Sequence, residues 1–481
     1  MMSEWKEVQF SELCTVTRGA SPRPIKDFIS DEGMPWVKIA DATSSDSRFI
    51  EETKEKIKLE GVPKSKSVYP GDLILSNSAT PGLPKFMKIE ACIHDGWMLL
   101  KDFKGLDKRF AYWLLLHERK NLVVQGNGSV FTNLKTDILK NHIVKIPAEN
   151  KQIEIAEVLD SVQEKIELNR QTNQTLEQIA QAIFKSWFVD FEPVKAKIAA
   201  LEAGGSEDDA LLAAMQAIAG SALFATDAAD TDAQTQLARL QTEHPEQYTT
   251  LRATAELFPA AMQDSELGEI PEGWVIGCLA DLLDFNPRRT LKKGTVAPYL
   301  DMKNVPTSGH LADEVVDREM GSGTKFINGD TLLARITPCL ENGKTAYVDF
   351  LDEGQVGWGS TEYIVIRPRN DYPTSIGYLI ARNAQFRQHA IQSMTGTSGR
   401  QRANAKALAE LPWVIYPKNI MHVFDKVAGV YLELAKNKGD EAKALSEIRD
   451  TLLPKLLSGE LSVSDAAGQI PKAEEAVNVQ S

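Results

Sequence analysis

The sequence predicts an α+β chain built as a pseudo-twofold tandem repeat: two similar mixed α/β domains separated by two long antiparallel helices that form a coiled coil. Three observations predict it. Residues 150–191 run for about forty positions without Pro or Gly, and their apolar residues recur at steps of three and four. A series of landmarks recurs at an offset close to 269, beginning with Trp5 and Trp274. A second long apolar-periodic run, 419–457, follows the second copy as the first run follows the first copy.

The first mixed domain spans 1–149. Short apolar runs such as VKIAD, DLILS and HIVKIP are separated by Gly and Pro turns, the pattern of a mostly antiparallel sheet, and one helix is expected near 107–121. The central helix occupies 150–192. Its apolar seam comprises Ile155, Leu159, Val162, Ile166, Leu176, Ala180, Ile183 and Trp187, and at 1.5 Å per residue it would extend roughly 60 Å. A single apolar stripe on so long a helix requires a partner. The seam turns polar at Asn169 and Asn173, which are candidate register markers if buried.

Residues 193–267 form an Ala-rich, acidic connector, expected as short helices and flexible loops with little function of their own. The second mixed domain covers 268–418. MPWVKIAD at Met34–Asp41 returns as APYLDMKN at Ala297–Asn304, and PGDLILSNSATPG at Pro70–Gly82 returns as NGDTLLARITPCL at Asn328–Leu340. IVKIPAEN, ending at Asn150, returns as WVIYPKN, ending at Asn419. The second helix, 419–460, carries Leu445, Ile448 and Leu452 where the first carries Leu176, Ile179 and Ile183. Two equivalent helices packed antiparallel bury both stripes and bring their polar midpoints together. Residues 461–481 read as a flexible tail.

The net charge of −13 is unevenly spread. Residues 1–150 hold 22 basic against 20 acidic side chains, 151–267 hold 8 against 20, 268–418 hold 17 of each, and 419–481 hold 7 against 10. The excess acid sits in the middle and the tail, which leaves room for a basic face on each mixed domain. The start, MMSEWKEVQF, lacks the apolar region of a signal peptide, and no run reaches the ~18 apolar residues of a membrane span. Cys14, Cys92, Cys278 and Cys339 lie far apart without CxxC spacing, as expected of reduced thiols in a cytoplasm and not of a metal site.

Catalytic patterns are missing. No GxxxxGK, GxSxG or HExxH occurs, and the GSG at Gly321–Gly323 follows no clear strand. Asn286-Pro287 is followed by Arg288-Arg289 and not by the Pro and aromatic residue of an amino-methyltransferase's Asn-Pro-Pro-aromatic motif. What remains is polar loops, one set per repeat. In the first domain they carry Arg18 and Arg23, then Ser76, Asn77 and Thr80, then Asn127 and Asn133. In the second they carry Arg288, Arg289, Lys292 and Lys293, then Arg335 and Thr337, then Arg400, Gln401, Arg402 and Asn404. Gly-rich, Arg-bearing loops can meet phosphates, while Arg, Asn and Gln read base edges.

The repeat, the phrase SELGEIPEGW at Ser265–Trp274, the central QIEIAEVLDSVQEKIELNRQTNQTLEQIAQAIFKSWFVDFEPVKAK and the terminal LSEIRDTLLPKLLSGEL together resemble the specificity subunit of bacterial type I restriction–modification enzymes. The resemblance covers essentially the whole chain. It implies two target recognition domains, each reading half of a split double-stranded DNA site, and paired helices that fix the unspecified spacer. It further implies docking of two methyltransferase subunits, which bind S-adenosylmethionine, and of restriction (translocase) subunits that use ATP and Mg, with no cofactor, metal or active site in this chain. The alternative is a structural scaffold whose paired domains bind protein instead of DNA.

Overall fold

The computed structural model describes residues 5–43, 47–126, 133–223, 233–369, 372–396 and 400–469. They fall into two compact units that divide both long helices between them. One unit holds the chain up to Leu168 and from Glu441 onward; the other holds Asn169–Asp440.

In the first unit, strand Lys6–Gln9 pairs antiparallel with Ile143–Ile146. A five-stranded sheet runs in the order Thr15–Arg18, Trp97–Lys101, Leu73–Ser76, Pro84–Met87, Phe49–Ile50. A second runs Ile29–Ser30, Glu55–Ile57, Met34–Val37, Ala91–Ile93, Lys66–Val68. The central strands are apolar throughout because both of their faces are covered. Leu73 and Leu75 with Met98 and Leu100 pack on helix Lys108–Gly126, while Ile74 and Leu99 join Val37, Ile50 and Trp97 on the opposite face.

The second unit repeats this topology. Val275–Cys278 pairs with Pro412–Ile415, offset by 269 from the first pair (Lys6 to Val275, Ile143 to Pro412). Its sheets run Leu283–Phe285, Tyr363–Pro368, Thr331–Ala334, Thr345–Tyr347, and Val315–Glu319, Val296–Leu300, Gly357–Gly359, Thr324–Phe326. The parallel pairing of the Met34 and Ala91 strands returns in the Val296 and Gly357 strands. Where the first unit has the single helix Lys108–Gly126, the second has two, Ser375–Arg382 and Ala384–Gln392. Asn383 between them is extended and caps the second by accepting from the Gln385 and Phe386 amides.

The first long helix is Glu149–Phe188, 40 residues. The second begins at Lys418, the position equivalent to Glu149, and continues through Lys418–Phe424, a π-turn at Asp425–Gly429 and Val430–Ser458. They run antiparallel within each unit. In the first, Ile155 and Leu159 share a core with Leu452 and Leu456, and Val162 and Ile166 share one with Ala442 and Leu445. Gln163 accepts from Arg449 Nη1 at 2.6 Å, and Ile448 is half-buried against the same core. In the second, Ile183, Phe184, Trp187 and Phe188 pack with Ile420, Phe424 and Ala428.

Two details of the seam depart from the heptad reading. Leu176 is only half-buried and outside the apolar clusters; the buried place goes to Glu177, which accepts a hydrogen bond from Tyr378 Oη and pairs with Arg382 at 3.7 Å. A buried carboxylate persists because both partners come from the sheet domain packed there. Asn169 is buried and Asn173 half-buried, with Gly439 opposite Asn173: a Cβ at 439 would stand 3.4 Å from Asn173 Nδ2 and 2.2 Å from Leu311 Cδ1. Gly439 is therefore a point of close approach, not a break in the helix.

The connector is more integrated than its composition indicated. Helices Glu192–Glu202, Glu207–Leu223, Ala233–Glu243 and Pro245–Glu256 place Val194, Ala214, Met215, Leu237 and Ala255 in the second unit's main core. Phe258 meets Trp187 edge-on at 5.4 Å, and buried Lys197 donates to the Phe258 carbonyl at 2.6 Å.

Candidate nucleic-acid interface

In the first unit the loops bearing the candidate residues meet around the turn that enters strand Trp97–Lys101. Arg18 Nε donates to the Asp95 carbonyl at 2.9 Å, Ser21 Oγ to Asp95 Oδ1 at 2.6 Å, and Arg23 lies 3.5 Å from Asp95 Oδ2. Asn77 Nδ2 donates to the same carbonyl at 2.9 Å, and the Asn77 carbonyl accepts from the Leu134 amide at 2.8 Å, which brings the exposed Asn133 to the cluster. Ser76 and Asn77 are buried: Ser76 Oγ donates to the Thr80 carbonyl and accepts from the Leu83 amide, closing the loop. They shape the surface from beneath instead of facing outward, and half-buried Thr80 sits on the loop they hold. Asn127 lies outside the described residues.

An open cleft of about 820 Å³ sits beside this cluster, with Arg23, Lys38 and Asp95 at its polar edge and Trp36 and Ile39 among its apolar walls. His94 also lines it, and burial lowers the pKa of its imidazole, favouring the neutral form. Asp95 titrates below the ordinary carboxylate range, chiefly through the Ser21 hydroxyl, and stays ionised.

The second unit assembles its loops at the equivalent turn, before Tyr363–Pro368. Glu362 accepts Arg402 through both oxygens, at 2.7 Å from Nη2 and 2.9 and 3.0 Å from Nε, and Arg335 Nε at 3.2 Å. These contacts hold its carboxyl below the usual range, Arg402 contributing most. Backbone bridges of Arg402 with Ile336 and Thr395, and the Thr337 amide and hydroxyl donating to the Gln401 carbonyl, join residues 336 and 337 to 401–402, and 402 to 395. Asn404 caps helix Ala405–Ala409 by accepting from the Lys406 amide. Arg400 is exposed, as are Arg288, Lys292 and Lys293 in the first loop of this domain. Arg289 is not: its Nη2 lies 3.0 Å from Asp330, a fully buried carboxylate also met by Arg367, so it neutralises the interior. Asn286 anchors the loop's start in the left-handed region (φ 53°), its Oδ1 accepting from the Val365 amide.

Asp95 and Glu362, the two carboxylates on which these clusters turn, were not among the sequence candidates. The signal was available: each lies just before an apolar strand of its repeat, in IHDGW and GSTEY.

Residues 2–178 match the family model described as "Type I restriction modification DNA specificity domain". The HindI specificity subunit of Haemophilus influenzae is 26% identical over 483 residues, covering 96% of this chain and all of that protein. The MjaIX specificity subunit of Methanocaldococcus jannaschii is 26% identical over 197 residues, 40% of this chain and 45% of its own. A crystal structure of the type I restriction–modification S subunit from M. genitalium superposes over 94% of this chain and 96% of its own, at 13% identity and a TM-score of 0.48.

Proposed function

We propose, from the match of residues 2–178 to the type I specificity-domain model and the end-to-end likeness to the HindI subunit, that the chain is a type I restriction–modification specificity subunit, the non-catalytic component that reads a bipartite double-stranded DNA target. Each mixed domain takes one half of the split site through its own loop cluster, and the antiparallel helices set the spacer. Exposed Arg18, Arg288, Lys292, Lys293 and Arg400 face phosphates; Arg402, held in a fixed pose, reads a base edge. The chemistry belongs to partners. Two methyltransferase subunits dock on the helices and methylate adenine with S-adenosylmethionine, and restriction subunits join that core and use ATP and Mg.

The observation that carries the reading is the duplication of the site. Two domains of one topology, offset by 269 residues from Lys6 to Val275, gather arginine-bearing loops at the same turn. One chain with two equivalent readers matches a target with two separated halves. Zero net charge on 268–418 is no obstacle, since the cations are local to one loop cluster, and DNA binding through them should weaken steeply with salt. The test is selection from a randomised duplex pool with the purified chain. Enrichment of two defined segments separated by an unspecified gap supports the reading; equal binding to every duplex, insensitive to salt, overturns it in favour of a protein-binding scaffold.

A further inference from the structure

A surface that meets phosphates is a costly place for a carboxylate, yet each domain keeps one at the centre of its candidate loops. Asp95 and Glu362 occupy the same turn of the repeated fold, and each collects side chains from its own cluster: Ser21 and Arg23 on Asp95, Arg335 and Arg402 on Glu362. At Glu362 the pairing is not needed to shape the loop. Backbone bonds already fix Arg402, which exchanges amide–carbonyl bonds with Thr395 at 2.9 and 3.1 Å, and the Ala403 amide donates to the Arg335 carbonyl at 2.8 Å. The ion pairs are also partly solvated, with Arg402 40% and Glu362 22% exposed at the side chain, so they add little to stability. What they do fix is the guanidinium itself. Glu362 takes Nε and Nη2 of Arg402 and leaves Nη1 and the outer edge of the fork to face away, the edge with which Arg meets guanine.

On the DNA-reading function proposed above, we infer that Glu362 and Asp95 are positioning residues for sequence specificity. Each holds the arginines of its domain in one pose for a base edge, and each repels the phosphates of a duplex that offers no matching edge. A free Arg402 would settle on the nearest phosphate of any sequence. A clamped one gains only where the base fits, so the carboxylate weakens binding to random DNA and sharpens the choice among sequences. The Asp95 clamp is looser, with Arg23 at 3.5 Å and 81% exposed; its hold on Arg18 passes through the backbone carbonyl.

The experiment uses the full chain with Glu362→Gln, Glu362→Asp and Asp95→Asn, each measured by selection from a randomised duplex pool and by salt titration on a random duplex. Glu362→Gln is expected to bind the random duplex several-fold more tightly with a salt slope steeper by about one. It should lose about tenfold discrimination at positions in one half of the motif only. Asp95→Asn should do the same, more weakly, in the other half, and Glu362→Asp should keep most of the discrimination. Tighter binding of Glu362→Gln to the random duplex, with discrimination kept in Glu362→Asp, reports that the altered domain is folded, since an unfolded domain would lose both. A wild-type chain that enriches a motif while Glu362→Gln enriches the identical motif at the same strength overturns the positioning role alone. Weaker binding of Glu362→Gln to random duplex does so too, whereas a wild-type chain that enriches no motif overturns the DNA-reading function itself.

Discussion

Placing a charge at Ile166 tests the helix pairing where packing is tightest. Ile166 is fully buried in a small cluster with Val162, Ala442 and Leu445, two residues from each helix. Truncating such a side chain costs about 2–5 kcal/mol, and Ile166→Asp adds a carboxyl that must be protonated or left unsolvated among apolar neighbours. Together the two effects cost about 5 kcal/mol or more. For a unit of about 150–250 residues, each kcal/mol moves the midpoint by about 2–4 °C, so the first unit should melt at least about 10 °C lower. Leu176 supplies the contrast. The heptad places it in the same seam ten positions on, but it is half-buried and outside the clusters, so Leu176→Asp should cost about 1 kcal/mol or less. Circular dichroism at 222 nm, followed through heat and urea unfolding, reads both. An Ile166→Asp transition within 2 °C of wild type (a small fraction of the ~10 °C expected), or equal losses for both variants, would refute the antiparallel packing described here.

Three further outcomes follow from particular contacts. Arg400→Ala should weaken binding to all duplexes alike and reduce the salt slope by about one, whereas Arg402→Ala should relax a single motif position at ~1–3 kcal/mol; reversed roles in a salt titration would exchange the assignments. Arg48, 5% exposed, pairs with Asp160 and, at 2.9 Å, with Glu164, while Trp113 Nε1 donates to Asp160 at 3.0 Å. Burial already raises the Asp160 pKa, so Arg48→Met should destabilise the first unit by about 3–5 kcal/mol at neutral pH. Because a raised acid is most favourable while protonated, that deficit should be smallest near pH 4 and grow as pH rises through the folded pKa; a deficit constant from pH 4 to 7 would count against Asp160 as its source. Finally, burial pushes the Cys14 thiol up to about 12, and Cys92 is also buried and raised, so native-state labelling should modify the more exposed Cys278 and Cys339 first; early labelling of Cys14 by mass spectrometry would contradict its placement.

The repeat was legible because selection of fold acts on spacing. The offset of 269 seen in Trp5 and Trp274 reappears in the paired strands from Lys6 to Val275 and in the helix starts from Glu149 to Lys418. The mostly antiparallel sheets were legible too, in short apolar runs such as DLILS set between Gly and Pro turns. Glu177 was not, because a heptad scan sees only apolar residues, while the Tyr378 hydroxyl that makes its burial tolerable lies 201 positions away. The roles of Ser76, Asn77 and Arg289 were hidden for another reason, since their partners are nearer in sequence: each is a polar residue in a loop that the fold turns inward. Composition misjudged the connector for a related reason: low aromatic content conceals how much Ala, Met and Leu can bury against Trp187 and Phe258.

Exchange of residues 1–149 for the corresponding domain of a relative tests most directly that two domains read two half-sites. The hybrid and the parent would each be produced in cells with a type I methyltransferase subunit, and the methylated adenines mapped across the genome. The expected result is a motif with one half replaced and the other half and the spacer unchanged. An unaltered motif, or one in which both halves change together, would contradict it.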